Sequence, residues 1–386
     1  LAIGGGGVVK TVHFPAKMLF ILAAVIFLSA CGNSPVVGVL LPMTGTASTY
    51  GDSMKKGIDI ALDQEQGNLP KGFKVIWGDT ASDIATAESE LRRLASEGAG
   101  LIVAGTTSGT ARALLPILEE TDTIAVSPSA SAPSLTKDSR RFFRVFASDE
   151  LEGRRAGRFL YDDQDKTSVL IYAEDSDQAR GIEPPFRQVF EQAMGGEIIG
   201  RIVIDGNDWE QESADLLASG NPASVYIIGY GDATIKVLRH LREKGFDGPI
   251  CVSSSFYTGQ IVEDNPELLE GVYFPQPAFD VKAEGQLAQD FVAAYRQRYQ
   301  DDPDIYAAHA FDAMRVVIFV ANESKNFTAA ENRKVLAFGV KEFPGVTGII
   351  PVSYTHLTLP TMSTTCRSRW ARARDLGGGG GGGGGG

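Results

Sequence analysis

Cysteine is nearly absent: there are three in 386 residues, at positions 31, 251 and 366. A disulfide framework is excluded, because Cys31 ends an apolar leader, Cys366 lies in an unusual tail and Cys251 is left alone. Histidine is almost as scarce, with four, and only His240 and His309 fall in the body of the chain, both among charged or alanine neighbours. Phosphate and nucleophile motifs are missing as well. There is no G-K-[ST] of a P-loop, and Gly229-Tyr230-Gly231 lacks the third glycine of a dinucleotide fingerprint. In Gly105-Thr106-Thr107-Ser108-Gly109 the serine stands one place too late for a nucleophile elbow. Asp301, Asp302 and Asp304 are broken by Pro303 and read as a solvated turn rather than a cation loop. With no grouped acid, base and nucleophile, the chain reads as a non-enzyme without cofactor or metal.

Basic charge is also in short supply. Net charge is −12, and it falls to −17 once the tail's four Arg and one Asp and the leader's Lys10 and Lys17 are set aside. So acidic a body has nothing basic to spare for phosphates, which excludes nucleic acid as a partner. The one strongly apolar run, Leu19 to Leu28, has only about ten residues, too few to span a bilayer. Flanked by lysines and followed by Leu28-Ser29-Ala30-Cys31-Gly32, it reads as a secretory signal whose end resembles the bacterial lipobox, implying cleavage before Cys31 and a lipid on its thiol. At the other end, Val352 to Thr361 and Cys366 to Trp370 resemble a translated sequencing adapter, and Gly377 to Gly386 is unbroken glycine. Residues 351–386 are therefore expected to lie outside the fold and to make few contacts with it.

What the chain does have is 43% hydrophobic and 22% charged residues, the composition of a soluble globular protein, at a length for two lobes. Strands and helices alternate along it, predicting doubly wound α/β sheets. Val36 to Leu41 is a buried parallel strand by its apolar run, followed by a helix marked by Met54, Ile58, Ala61 and Leu62. Lys74 to Trp77 is a second strand, and Asp83 is placed to cap the helix carrying Ile84 to Ala95. Leu101 to Ala104 and Thr123 to Val126 are further strands, with Ala111, Leu114, Leu115 and Leu118 at helical spacing between them. A second series runs from Val169 to Lys244 and includes a helix placed at Pro184 to Met194; strands follow at Ile250 to Val252 and Val272 to Phe274. Helices at Leu287 to Tyr299, Tyr306 to Ala321 and Val335 to Val340 close the series.

Two hydroxyl-rich loops define a candidate site. Thr106, Thr107 and Ser108 follow one strand and open a helix, where unpaired backbone N–H groups suit a carboxylate; Ser127, Ser129 and Ser131 follow the next parallel strand. Parallel strands bring both loops to one sheet edge, where ligands of open α/β sheets collect. Ser108 also suits a helix N-cap, and Asp149 reads as a cap and hinge residue before the next helix.

From Pro35 to Gly348 the chain resembles the type I periplasmic binding proteins, specifically the branched-chain amino acid (Leu/Ile/Val) receptors of ABC importers. The stretches that carry the resemblance are VGVLLPMTGTASTYGDSMKKGIDIA, IVAGTTSG, VSPSASAPSL, FRVFASDELEG, IIGYGDATIKVLRHLREKGFDGPI, YAAHAFDAMR and FPGVTG. It implies two α/β lobes joined by three crossovers, near Ala147 to Asp149, Gln276 to Asp280 and Pro344 to Ile350. Lobe 1 would take residues 35–148 and 277–345, lobe 2 residues 149–276, with the leader before residue 31 and the tail after 350. Carried over by position, the ligand's carboxylate and ammonium would meet Thr107, Ser108, Ser129 and Ser131, with Tyr50 over the side chain and Tyr230 closing from lobe 2. Two positions depart from the pattern. Gln178 stands for an aromatic and Ser254 for the acid that balances an ammonium, which leaves Asp149, Asp232 or Asp280 to supply that charge. The expected function is capture of an amino acid or similar small polar carboxylate or amide for an ABC permease, by a monomer lipid-anchored in the periplasm or at the cell surface. A second reading keeps the fold but makes the chain a regulatory or sensory lipoprotein.

Overall fold

The computed structural model describes residues 34–350, apart from 205, 207, 257, 259, 260, 262, 263 and 276–278, and the backbone of 370–372. Cys31, the leader and most of the tail lie outside the described residues, as does the start of the second crossover.

The first sheet is wholly parallel. It comprises β1 (Val36–Leu41), β2 (Lys74–Asp79), β3 (Leu101–Val103), β4 (Ile124–Ser127) and β5 (Phe142–Arg144), in the order β2-β1-β3-β4-β5. Near-continuous apolar runs make these strands, since helices cover both faces. The helices are α1 (Ser48–Gln64), α2 (Ile84–Ser96), α3 (Ser108–Glu120) and the short α4 (Pro133–Asp138). Asp83 caps α2 by accepting from the Thr86 N–H at 2.8 Å, as the sequence suggests.

After β5 the chain enters α5 (Asp149–Arg158) and a second sheet. This holds β6 (Ser168–Ala173), β7 (Glu197–Val203), β8 (Ser224–Ile228), β9 (Ile250–Val252) and β10 (Val272–Pro275), all parallel, in the order β10-β9-β8-β6-β7. Its helices are α6 (Asp177–Arg187), α7 (Trp209–Gly220) and α8 (Gly231–Glu243). Both sheets therefore repeat one winding, with the order reversing between β1 and β3 in the first and between β6 and β8 in the second. Each reversal opens a crevice beyond the carboxyl ends of the strands.

The chain then returns to the first sheet. α9 (Gln286–Tyr299), α10 (Ile305–Glu323) and α11 (Ala329–Lys334) pack into its core, and a hairpin of β11 (Phe343–Gly345) and β12 (Gly348–Ile350) ends the described body. By length and composition α10 could cross a membrane, but 83% of its apolar window is buried inside the protein, so it is a core helix. Buried Asp312 on α10 anchors the hairpin by accepting from the Val346 N–H at 2.9 Å, the Thr347 N–H at 3.0 Å and the Thr347 hydroxyl at 2.7 Å.

Three expectations need correction. The helix after β6 begins at Asp177, capped by the Ser176 hydroxyl, rather than at Pro184, so Pro184 and Pro185 lie inside it. The Ser-Asp pair after β6 is the stronger start signal, and the backbone absorbs the prolines by widening into a π-helical turn over Gln188–Ala193. The tail is not wholly detached: Trp370–Arg372, β13, pairs antiparallel with β10. β10 is otherwise an edge strand, and its open ladder is a template for any extended segment. Finally, Asp149 is not the cap of α5. Ser148 caps it, accepting from the Glu150 N–H, because the Asp149 side chain turns into the interior.

Candidate functional site

Gly105 turns the chain out of β3 in the left-handed region, at φ +83°, where a side chain would be strained. The turn presents Thr106 and Thr107 beyond the sheet edge, and α3 starts at Ser108. Thr107 is the helix cap, accepting from the Thr110 N–H at 3.2 Å. Ser108 is therefore not the cap. Its hydroxyl instead accepts from the N–H groups of Ser131 and Ala132 at 3.3 and 3.2 Å, tying the loop after β3 to the loop after β4. Further stitches come from the hydroxyls of Ser127 and Ser129, which donate to the carbonyls of Gly105 at 2.8 Å and Thr106 at 2.6 Å. Below them Arg144, half-buried, donates to the carbonyls of Ser131 and Ala132 at 2.7 and 2.9 Å. The hydroxyl-rich spacing is thus partly a scaffold that fixes two loops in register.

Across the crevice stands the second sheet. Gln178 lies in the first turn of α6, Tyr230 precedes α8, and Ser254 and Ser255 follow β9. The side chains of Tyr50, Thr107, Ser129, Ser131, Gln178, Tyr230 and Ser254 line one cleft, with Thr106, Phe146, Ser255 and Tyr306 completing it. Ser108 and Asp149 lie one layer behind. Asp232 is exposed and Asp280 is turned to the Lys282 N–H, so neither reaches the cleft wall. The void is about 20 Å³, roughly the room one ordered water takes.

Direct bonds hold the two sides together. The Tyr50 hydroxyl donates to the Ser255 carbonyl at 2.8 Å and accepts from the Gly231 N–H at 3.3 Å. The Ser108 N–H bears on the Tyr230 hydroxyl, so the helix terminus expected to take an anion meets a phenol here. At the rim, Arg112 on α3 pairs with Asp177 on α6 at 2.9 Å and with Asp138 at 3.2 Å. Tyr50 meets Tyr306 edge-on, with ring centroids 5.0 Å apart, and Phe146 stacks parallel to Tyr306 at 6.5 Å. The apolar wall is therefore aromatic, while loops and floor are polar.

The acid of the site is one that sequence reasoning missed. Glu152, on α5 and half-buried, accepts from the Ser254 N–H at 3.0 Å and the Ser254 hydroxyl at 2.6 Å. Burial raises its carboxyl to about 7 against the pull of those two donors, which favour the ionised form. One turn earlier, Asp149 is buried with neither oxygen closing a hydrogen bond, although the Ser131 hydroxyl lies near enough to favour its charge. Burial first, and then repulsion from Glu152, push Asp149 well above the usual carboxylate range. The signal in the sequence was the i, i+3 spacing of the two acids in Ser148-Asp149-Glu150-Leu151-Glu152. The histidines stand elsewhere: His240 bonds the Ser213 hydroxyl at 2.8 Å inside lobe 2, and His309 bonds the Ile305 carbonyl at 2.7 Å behind Phe146.

Two crevices facing each other across a hydroxyl-rich cleft are the arrangement of a two-lobe solute receptor. Residues 35–356 match the family model described as periplasmic binding protein, and the chain belongs to that family. It is 24% identical over 288 residues to the leucine-, isoleucine-, valine-, threonine- and alanine-binding protein of Pseudomonas aeruginosa, covering 72% of this chain and 74% of that one. A Leu/Ile/Val-binding protein homolog of Brucella abortus is 20% identical, covering 93% of this chain and 97% of its own. Among solved structures, the branched-chain amino acid transporter substrate binding protein of Streptococcus pneumoniae, in complex with isoleucine, superposes with a TM-score of 0.74 at 26% identity, over 82% of this chain and 91% of that chain. The chain is thus a periplasmic binding protein, similar to those of branched-chain amino acid ABC transporters, and membership implies an extracytoplasmic location.

Proposed function

We propose that this protein captures an amino acid, or a similar small polar carboxylate or amide, and delivers it to an ABC permease while anchored to the membrane through a lipid on Cys31. The observation that carries the reading is the two-sided cleft: loop amides and hydroxyls from one sheet face Gln178, Tyr230 and Ser254 from the other. Thr107, the Ser108 N–H, Ser129 and Ser131 are the groups for a carboxylate. Gln178, whose carbonyl oxygen accepts from the Ser255 hydroxyl at 2.9 Å, has an amide nitrogen to offer a polar ligand. Lobe boundaries at 148/149 and 276/277 fit this reading, since β5 ends before the first and β10 before the second.

Isothermal titration with leucine, glutamine, a short-chain amide and a keto acid tests it. Micromolar binding, about −8 kcal/mol, by a polar member of the set is expected. Leucine binding alone would sink the preference for a polar ligand, and silence from all four would sink solute capture. Cys31→Ser should move the protein from the membrane to the soluble fraction; if it stays, the anchor is not that thiol.

A further inference from the structure

The arrangement of Glu152 behind Ser254 goes beyond a counter-charge. Ser254 lines the cleft and Glu152 does not, so a ligand would meet the carboxyl only through the serine hydroxyl. That hydroxyl has one hydrogen. While Glu152 is ionised it takes that hydrogen at 2.6 Å, and Ser254 can show the cleft only lone pairs. Once Glu152 is protonated, the carboxyl O–H donates to the serine oxygen and the serine hydrogen is free to turn outward. The Ser254 N–H, which donates to the other carboxyl oxygen at 3.0 Å, holds the geometry in both states.

We propose that Glu152 is a positioning residue that sets the ligand selectivity of the cleft through its proton. Ionised, it makes Ser254 an acceptor that selects a ligand ammonium; protonated, it makes Ser254 a donor that selects a carbonyl at the same place. Entry of an ammonium at a pH where Glu152 is protonated expels its proton to solvent. The inference rests on the solute-capture reading above.

The surroundings support the switch. Asp149 lies one turn before Glu152 on α5, and the charge of Glu152 bears on Tyr226 of β8, Cys251 of β9 and Tyr306 of α10. None of these is a cation, and Arg144 bears on Asp149. Asp149 is buried and Glu152 half-buried with one arginine near them, so ionising both would leave an excess of negative charge, and the unbonded oxygens of Asp149 mark the same spot. A proton or a ligand cation relieves it. Burial raises the Glu152 carboxyl to about 7, which places the exchange in the physiological range.

The test compares leucine and glutamine with their keto acids by titration calorimetry at about pH 6 and about pH 8, where the charges of these probes are constant. The preference for amino acid over keto acid should rise at least about tenfold between the two pH values. At the lower pH, amino acid binding should release about one proton, read from the dependence of heat on the buffer's ionisation enthalpy. Glu152→Gln should remove both the pH response and the proton release. Ser254→Ala keeps the carboxyl but removes the reader, so it should flatten the preference while raising the Glu152 midpoint seen by carbon-13 carboxyl NMR.

A preference that is the same at both pH values, or one that survives Glu152→Gln, overturns the proposal while leaving solute capture intact. So does an NMR midpoint in the ordinary glutamate range. Binding of keto acids with no amino acid bound at either pH also overturns it. If no probe binds, the capture reading falls and takes this one with it.

Discussion

His309 shows how much a single residue's chemistry depends on what surrounds it. Along the sequence it stands between alanines on a helix and carries no functional signal. In the fold its ring lies against Phe146, centroids 4.6 Å apart, and its Nδ1 donates to the Ile305 carbonyl, which fixes the tautomer. Burial lowers its pKa from 6.5 to about 4. A depressed histidine folds neutral, so its contribution to stability is fully present above 6.5 and is lost as pH falls toward 4, where the unfolded chain holds a proton the folded chain cannot. The full swing is worth roughly 3 kcal/mol. His309→Gln should therefore flatten the fall in unfolding free energy between about pH 6.5 and pH 4, measured by urea titration. An unaltered slope would mean that the ring takes its proton as readily in the fold as in the unfolded chain. Glu152 teaches the converse lesson. The hydroxyl-rich loops were legible because strand, loop and helix N-terminus follow one another directly in sequence. The acid was not, because its role requires α5 to lie under the loop after β9, some hundred residues further on.

At the scale of elements, the strands were read closely because buried parallel strands are continuous apolar runs, and Val36–Leu41 and Ile250–Val252 agree residue for residue. Helix starts were less legible. Ser176 competes with Pro184 as a start signal, and which one wins depends on how far the loop after β6 must reach to put Gln178 at the cleft. Close helix pairs were invisible for a related reason: a glycine in a sequence does not say what approaches it. Gly57, in the middle of α1, is such a place. A Cβ there would stand 2.0 Å from the Ala307 carbonyl oxygen on α10, closer than any side-chain atom can sit. Since α1 carries Tyr50 and α10 carries Tyr306, this contact sets the distance between two walls of the cleft. Gly57→Ala should cost about 1–3 kcal/mol, because backbone rather than a flexible side chain must move. Thermal melts would show the loss, and an unshifted melt would mean that the two helices are held apart more loosely than this.

For the whole molecule, the decisive quantity is the balance between closed and open lobes. The structure is closed, yet the bonds across it among the described residues are modest ones, such as the two through the Tyr50 hydroxyl, the Ser108 N–H to the Tyr230 hydroxyl, and the Arg112–Asp177 and Lys137–Glu150 pairs. Hydrogen bonds of this kind exchange with water for a net of about 1 kcal/mol each, and a pair with a partly exposed arginine is worth about 1 kcal/mol or less. Opening therefore costs little, and a void of about 20 Å³ has to open to admit a solute of amino acid size. A ligand that bonds both walls adds free energy to the closed state alone, which is what shifts the population. Small-angle scattering should give a smaller radius of gyration with saturating ligand than without it. Arg112→Ala, which removes the rim clasp but touches no cleft residue, should enlarge the ligand-free radius and weaken binding by a factor of about 2–5, the equivalent of the surface pair it deletes. A radius that does not respond to ligand at saturation would mean that the lobes do not clasp their solute, and the two-sided cleft would then have to be explained as something other than a trap.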